Sequence, residues 1–254
     1  MVVKQTVTLR QTVLGSGRPK LAVPVTGRTA KAILSQAADA IAAKPDLVEW
    51  RIDFFDDVQD ALALQRVGAQ LRDVLGDVAL LTAFRTKQEG GELALPDEDY
   101  FQICATVING NFTDALDLER YHDEGRIEAL VTQAHAKQVA IVMSNHDFDQ
   151  TPTEAELIRR LGDMADLKAD VLKVAVMPQS VDDVLTLLAA THHANQALAQ
   201  PIITMSMGDL GKVTRMAGEL VGSVVSFATV GAASAPGQIA LTHLKGELDD
   251  LKLS

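Results

Sequence analysis

Eight short apolar runs, each followed by a loop and an amphipathic segment, are the feature that most limits how this chain can fold. Each run is typical of a buried β-strand, and the segments between the runs carry apolar residues at helical spacing. Two such segments are "TAKAILSQAADAIAA" and "DVQDALALQRVGAQLRDVL". The runs are, in order, "KLAVPV" (20–25), "LVEWRI" (47–52), "ALLTAF" (79–84), "DALDLE" (114–119), "AIVMSN" (140–145), "VLKVAV" (171–176), "IITMSM" (202–207) and "SVVSFA" (223–228).

Eight strand–helix units in 254 residues predict an α/β protein whose parallel strands close into a (β/α)8 barrel, formed by one domain over residues 1–254. The alternative is a doubly wound open sheet. A glycine-rich phosphate-binding turn after the first strand would favour that fold, but the loop there reads "TGRTA". Before the first unit, "QTVTLRQTVLG" alternates as a β-hairpin does, and "GSG" (Gly15 to Gly17) supplies a turn.

Charge and cysteine content limit the partners and the compartment. The formal net charge of −11 disfavours binding to nucleic acid, which requires a basic surface. The single cysteine, Cys104, allows no internal disulfide and fits a reducing compartment. The first residues lack the apolar core of a signal peptide, and no stretch approaches the roughly 18 uninterrupted apolar residues of a membrane span. We therefore expect a soluble cytoplasmic protein that binds a small molecule.

A lysine lies in the middle of the sixth run, "VLKVAV". Since side chains alternate along a strand, Lys173 shares one face with Val171 and Ala175. An ammonium group among aliphatic side chains costs several kcal/mol unless it is paired or loses its proton. Lys173 is therefore the first candidate for a functional residue.

Other polar residues fall inside the predicted strands or directly after them, where the active sites of such barrels lie. In "LVEWRID", Glu49, Arg51 and Asp53 share one face, and the apolar opposite face can pack on helices. The charged face is therefore expected to point into the barrel. The further candidates are Arg85 after the third run, Glu89 in the loop beyond it, His146 at the end of the fifth run, Arg215 after the seventh run near a helix start, and Ser234 and Gln238 after the eighth.

These residue types suit covalent catalysis by an amine. A lysine in a dry cavity beside other cations loses its proton and becomes a nucleophile that attacks a ketone or aldehyde to form a Schiff base. The protonated imine then accepts electrons from an adjacent carbanion. His146 can move the proton and Glu89 can orient its ring, while the arginines, Arg215 above all, suit a carboxylate or phosphate.

Metal catalysis is the weaker alternative. Four residues from strand interiors could bind an ion: Glu49, Asp53, Asp117 and His146. The chain has no HxH or HExxH pair, however, and the nearby Arg51 and Lys173 would oppose the charge of an ion. We therefore expect no metal at the site.

Five motifs follow one another along the chain: "EWRID", "TAFRTKQEGGE", "SNHDF" followed by "TP", "LKVAVMP" and "SFATVGAASAPGQI". In order and spacing they resemble the motifs of the type I 3-dehydroquinate dehydratase family, and the resemblance extends from "RPKLAV" to "APGQI". It implies a (β/α)8 barrel whose bottom is closed by the N-terminal hairpin, and often a homodimer. The implied reaction is the dehydration of 3-dehydroquinate to 3-dehydroshikimate in aromatic amino-acid biosynthesis, without a metal or organic cofactor.

The resemblance also implies a role for each candidate. Lys173 forms the imine, His146 transfers protons, and Glu89 positions His146. The implied substrate-binding residues are Glu49, Arg51 and Arg85 at ring hydroxyls, Arg215 at the substrate carboxylate, and Ser234 and Gln238 on a loop that closes over the ligand. One position departs from the family, because a substrate-contacting serine that members can carry in the first strand is Pro24 here.

Two other functions are compatible with a lysine inside such a barrel. A class I aldolase would use the same imine but cleave a carbon–carbon bond, and the "EGGE" and "SAPGQ" loops argue against it. A barrel that only binds its ligand would not require the lysine and histidine, yet both are present.

Overall fold

A computed structural model describes residues 2–231 and 234–253 of the chain. Within these residues, no helix has the length and apolar character needed to cross a membrane. The elements are, in chain order, β1 (Val7–Leu9), β2 (Thr12–Leu14), β3 (Lys20–Val25), α1 (Ala30–Ala42), β4 (Leu47–Arg51), α2 (Ala61–Leu75), β5 (Ala79–Ala83), α3 (Asp97–Asn109), β6 (Ala115–Glu119), α4 (Glu124–Ala136), β7 (Ala140–Asp147), α5 (Glu154–Asp166), β8 (Val171–Val176), α6 (Val181–Ala197), β9 (Ile202–Ser206), α7 (Lys212–Met216), α8 (Gly218–Val221), β10 (Val225–Thr229), β11 (Ile239–Ala240) and α9 (Leu241–Asp250).

Strands β3 to β10 are the eight predicted runs, and they pair in parallel in sequence order, with β10 returning to pair with β3. Strands β9 and β10 meet at a short seam. There Ile202 forms a single bridge with Ser223, and the nitrogen of Val224 donates to the carbonyl of Ile202 at 2.8 Å. The Ser223 hydroxyl accepts from the nitrogen of Thr204 at 3.0 Å. This closed parallel sheet with its surrounding helices confirms the predicted (β/α)8 barrel.

Alternate residues of the strands divide the interior into two cores. Val48, Trp50 and Ile52 belong to the larger core, between the barrel and its helices, as predicted for the apolar face of "LVEWRID". Glu49 and Arg51 alternate with them and line a cleft inside the barrel. Trp50 packs in tilted contact with Phe55 and Phe112, at ring-centroid distances of 6.1 and 5.9 Å. The wall of the site is therefore held by aromatic packing on its outer side.

The N-terminal hairpin closes the bottom of the barrel, as expected. Leu9 and Leu14 are buried in the inner core with Leu47 and Ala79, which begin two of the barrel strands. The hairpin turns between Leu9 and Thr12, where Arg10 adopts a φ of 53°. The expected turn at Gly15–Gly17 is therefore not the hairpin turn, since these glycines follow β2 and lead into the first barrel strand.

Leu14→Ala is expected to lower the free energy of unfolding by about 2–5 kcal/mol, because it opens a cavity in the inner core. Leu14 is only 1% exposed. Urea denaturation monitored by circular dichroism measures the change. The matched control is Val3→Ala, at a side chain that is 85% exposed, where a change within about 0.5 kcal/mol is expected. Equal effects of the two substitutions would contradict the assignment of the hairpin as a plug.

Candidate active site

One cleft at the carboxyl ends of the barrel strands contains all nine side chains singled out in the sequence. Its cavity volume is about 120 Å³. The nine are Glu49, Arg51, Arg85, Glu89, His146, Lys173, Arg215, Ser234 and Gln238. Met205, Met207, Phe148 and Phe227 supply apolar parts of the wall.

Lys173 is buried in the cleft and paired with carboxylates. Its Nζ donates to Asp117 Oδ2 at 2.8 Å and lies 3.7 Å from Glu49 Oε1. The ring centroid of Phe227 is 4.8 Å away, which suits a cation–π contact. The expectation that other cations surround this lysine is therefore wrong at close range, because its nearest charged partners are anions. The ammonium group is stable in the barrel because it is paired.

Asp117 joins three strands of the barrel. Besides Lys173 of β8, it accepts from Arg85 Nη2 at 2.8 Å and from the hydroxyl of Ser144, on β7, at 2.6 Å. Burial by itself raises the pKa of this carboxyl, but the charges of Arg85 and Lys173 outweigh burial and hold the pKa of Asp117 well below its usual range. Asp117 is therefore a permanent anion beside the lysine.

Arg85, predicted to contact the substrate, makes most of its contacts with carboxylates of the protein. Its Nη1 donates to Glu119 Oε1 at 2.8 Å and lies 3.5 Å from Glu89 Oε2, in addition to the bond from Nη2 to Asp117. Glu119 also accepts from the nitrogen and hydroxyl of Thr86, at 2.9 and 2.7 Å. Arg85 thus neutralises three buried carboxylates while one edge of it borders the cleft.

Glu89 contacts His146 twice. Its Oε2 accepts from the backbone nitrogen of His146 at 2.9 Å and lies 2.9 Å from the ring Nδ1. The two glycines that follow it explain the "EGGE" loop. A Cβ on Gly90 would collide with the ring of Phe148, and one on Gly91 would collide with the carbonyl of Arg85. The loop can fold back over the strand end only with glycine at both positions.

Burial sets the protonation of this pair. Burial, and then the charges of Arg85 and Lys173, hold the pKa of His146 well below its ordinary value, so the ring is neutral. Burial, and then the negative charge of Glu119, raises the pKa of Glu89 to about 8. Near neutral pH the ring of His146 is therefore neutral, and the charge of Glu89 decides which ring nitrogen carries the proton.

His146 and Lys173 lie on neighbouring strands at different heights. The strand register pairs Lys173 with Ser144, which leaves His146 two residues further towards the mouth of the barrel. At about 3.3 Å per residue this separation is bridged by the length of a lysine side chain. A carbon atom bound to the lysine nitrogen therefore comes within reach of the imidazole.

The two remaining arginines differ in their partners. Arg51 forms a bidentate pair with Asp53, at 2.8 and 2.9 Å. Arg215 lies three residues after the start of the five-residue helix α7, close to a helix start as predicted. It donates to the carbonyls of Phe227 and Pro236, at 3.3 and 3.0 Å, and burial lowers its pKa to about 10. Within the described residues no carboxylate pairs with Arg215.

Ser234 and Gln238 hold each other within the loop before β11. The nitrogen of Ser234 donates to Gln238 Oε1 at 3.0 Å, and Gln238 Nε2 donates to the Ser234 hydroxyl at 3.1 Å. Ala232 and Ala233 of the predicted closing loop lie outside the described residues. Pro24, at the position of the expected serine, pairs in register with Glu49 beside the cleft.

The four residues of the alternative metal site are bound to other groups. Asp53 pairs with Arg51, and Asp117 pairs with Lys173 and Arg85. Over residues 2–231 and 234–253, no three histidine, cysteine, aspartate or glutamate side chains form a group that could hold a metal ion.

Sequence reasoning did not assign a role in the amine chemistry to Asp117, Glu119 or Ser144. The sequence pattern that indicates these residues is the alternation in "DALDLE" and "AIVMSN", where polar residues share the inward face of buried strands. The same argument places Glu49, Arg51 and Lys173 on the inward face of their strands. Applied to every strand, it places Asp117, Glu119 and Ser144 inside the barrel as well, without showing which cations they pair with.

The chain is similar to known proteins over nearly its whole length. A family model described as type I 3-dehydroquinase matches residues 21–252. A 3-dehydroquinate dehydratase from Lactiplantibacillus plantarum is 63% identical over 98% of both chains, and one from Klebsiella pneumoniae is 45% identical over 96% of this chain and 98% of that protein. The crystal structure of a type I 3-dehydroquinate dehydratase from Clostridium difficile, with covalently modified comenic acid, has a TM-score of 0.95 at 38% identity and covers 98% of each chain. The chain belongs to the type I 3-dehydroquinase family.

Proposed function

We propose that this chain dehydrates 3-dehydroquinate to 3-dehydroshikimate through an imine on Lys173. The observation that carries the proposal is a buried lysine, paired with a permanent anion, one strand away from a neutral histidine in the same cleft. The names of the relatives and the family model support the substrate. The covalently modified ligand of the Clostridium difficile protein supports covalent chemistry in this family.

The first step joins Lys173 to the substrate ketone. The ammonium group of Lys173 first gives one proton to the neutral ring of His146. The resulting amine attacks the carbonyl carbon and a carbon–nitrogen bond forms. The carbonyl oxygen then leaves as water, with that proton and a second one from the nitrogen, so that a protonated imine remains. Asp117 does not take the lysine proton, because Arg85 and Lys173 keep its pKa low. It remains an anion beside the nitrogen, at 2.8 Å from Nζ, and stabilises the positive charge of the protonated imine.

The second step removes the elements of water from two adjacent ring carbons. His146 removes the proton from the carbon next to the imine carbon, and the electron pair moves towards the imine nitrogen. The ring hydroxyl on the next carbon then leaves as water, with the proton that His146 took, and the imine is restored in conjugation with the new double bond. Water finally hydrolyses the imine, which releases the product and regenerates the amine of Lys173.

Glu89 and the surrounding charges prepare His146 for this role. When Glu89 is ionised, the neutral ring donates from Nδ1 to it and presents a bare Nε2 to the substrate. The low pKa of His146 keeps the ring from holding a second proton at neutral pH. Glu89 is thus a positioning residue for the proton transfer.

The substrate is bound by groups of matching charge. Arg215 is a buried cation whose missing partner is the carboxylate of the substrate. Glu49, Arg51 and the exposed edge of Arg85 contact ring hydroxyls from the opposite wall. Ser234 and Gln238 cover the ligand and exclude water from the imine.

The family resemblance and the composition of the chain support a proposal for its domain organisation, oligomeric state, compartment and pathway. We propose that the chain works as one domain, as a homodimer, and in the cytoplasm, where its single cysteine stays reduced. Its place is in the shikimate pathway of aromatic amino-acid biosynthesis, and its reaction requires no cofactor.

Lys173→Ala is expected to abolish turnover and covalent capture. Incubation with 3-dehydroquinate and sodium borohydride, followed by intact mass and peptide mapping, should give a reduced adduct on Lys173 of the unmodified chain and none on the variant. His146→Ala should still form the adduct but lose about 100-fold or more of kcat, because it lacks the proton carrier. Turnover is followed by the ultraviolet absorbance of the conjugated enone product.

Product analysis, calorimetry and the Lys173→Ala variant together distinguish the proposal from its alternatives. A reduced adduct together with carbon–carbon cleavage products would indicate an aldolase instead. Binding of 3-dehydroquinate by calorimetry without any product would indicate a barrel that only binds. Near-native turnover by Lys173→Ala, with folding verified by circular dichroism, would rule out the imine.

Arg215→Gln is expected to raise KM for 3-dehydroquinate by about 100-fold or more, because a buried charge pair with the substrate is lost. Initial rates over a range of substrate concentrations measure the effect. Arg159→Gln is the control, since Arg159 is an exposed arginine on α5 that pairs with Glu156 away from the cleft. An unchanged KM for Arg215→Gln would contradict the assignment of the carboxylate site.

A further inference from the structure

Asn145 carries a buried amide group that lies between the Glu89–His146 pair and helix α5. It lies on β7 between Ser144 and His146 and is only 6% exposed. Its Oδ1 accepts from Arg160 Nη1, of α5, at 2.8 Å. Its Nδ2 donates to Glu89 Oε1 at 3.1 Å. Both ends of the amide are therefore satisfied, as burial requires.

The orientation of this amide follows from the chemistry of Arg160. A guanidinium group carries only donors, so it can face only the oxygen of Asn145, which leaves the amide nitrogen facing Glu89. Arg160 is itself held by Glu156 Oε1 at 2.8 Å and lies 3.5 Å from Asp147 Oδ2. Its side chain is 15% exposed, which limits its freedom to turn away.

The amide nitrogen of Asn145 determines which oxygen of Glu89 can carry a proton. Because Asn145 donates to Oε1, that oxygen accepts and carries no proton towards Asn145. The other oxygen, Oε2, faces the backbone nitrogen and Nδ1 of His146. Ionised Glu89 accepts the proton of Nδ1 and leaves Nε2 bare, whereas protonated Glu89 donates to Nδ1 and leaves the proton on Nε2.

We propose that Arg160 and Asn145 are positioning residues that stabilise ionised Glu89 and with it the His146 tautomer protonated on Nδ1. The hydrogen bonds run from Arg160 on α5 through Asn145 and Glu89 to the imidazole. The preference for this tautomer follows from these contacts, while its value for catalysis rests on the proposed function of His146 as the base.

The charges around the pair make this support necessary. Burial and the charge of Glu119 oppose the ionisation of Glu89, while Arg85 and the bond from Asn145 favour it. The charged groups that face Glu89 or His146 are Arg51, Arg85, Asp117, Glu119, Lys173 and, through Asn145, Arg160. Since burial keeps the ring neutral, the tautomer changes when Glu89 changes its charge. Loss of the Asn145 bond therefore favours the form protonated on Nε2.

The test is nitrogen-15 NMR of the whole chain labelled at histidine, followed as a function of pH without substrate. His146→Ala identifies the resonances of His146 by their absence. In the unmodified chain we expect the tautomer protonated on Nδ1 to become dominant as pH rises and Glu89 ionises. Asn145→Leu and Arg160→Met are expected to move this change upward by about one pH unit, the effect of losing one hydrogen bond to the ionised form.

Arg159→Met is the matched control, because Arg159 precedes Arg160 on α5 and also pairs with Glu156 but does not contact Asn145. Its tautomer profile should match that of the unmodified chain. Kinetics give a second readout: at pH 7 Arg160→Met should lower kcat with little change in KM, and kcat should recover at higher pH.

An unchanged profile in both Asn145→Leu and Arg160→Met, or an equal shift in Arg159→Met, would overturn the proposal. Circular dichroism verifies that each variant is folded. Because the NMR measurement needs no substrate, a shifted tautomer in a chain that did not dehydrate 3-dehydroquinate would support the relay and contradict only the proposed function.

Discussion

The barrel interior depends on the carboxylate of Asp117. It binds Lys173, Arg85 and Ser144, so it joins the strands that form one side of the site. Two buried cations would be left without a full partner if this one anion were neutral, and breaking such a buried pair is far more costly than replacing the whole of it. The same contact that makes a buried lysine tolerable also places a fixed negative charge beside the nitrogen that we propose to form the imine. In that proposal, one ion pair stabilises both the fold and the cationic intermediate.

Periodicity made the architecture predictable. Eight apolar runs gave eight strands within a residue or two of the predicted bounds, since parallel strands covered by helices need apolar residues on their outer face. The inward face of a barrel strand is enclosed as well, so polar residues there stand out against the pattern. Lys173, Glu49 and Arg51 were found in this way, and together with the six other candidates they line one cleft.

The pairing of side chains from different strands could not be predicted from periodicity. Whether Lys173 faces cations or carboxylates depends on the register of β6 against β8 and on the reach of the side chains, and periodicity contains neither. The hairpin turn at Arg10 and Gln11 was missed because its residues are not typical of a turn, whereas the glycines of "GSG" are. The contacts of Asn145 depend on the packing of α5 against the end of β7, which joins residues far apart in the chain.

The seam between β9 and β10 has a consequence for how ligands enter. Seven of the eight junctions of the barrel are ladders of several residue pairs, but this one consists of a single bridge reinforced by the hydroxyl of Ser223. Arg215, on the segment between these two strands, and the loop that follows β10 form the wall of the cleft on that side. We therefore expect the barrel to open along this line, so that the mouth can widen beside Arg215 while Lys173 and His146 are held in register by the continuous ladders between β6, β7 and β8.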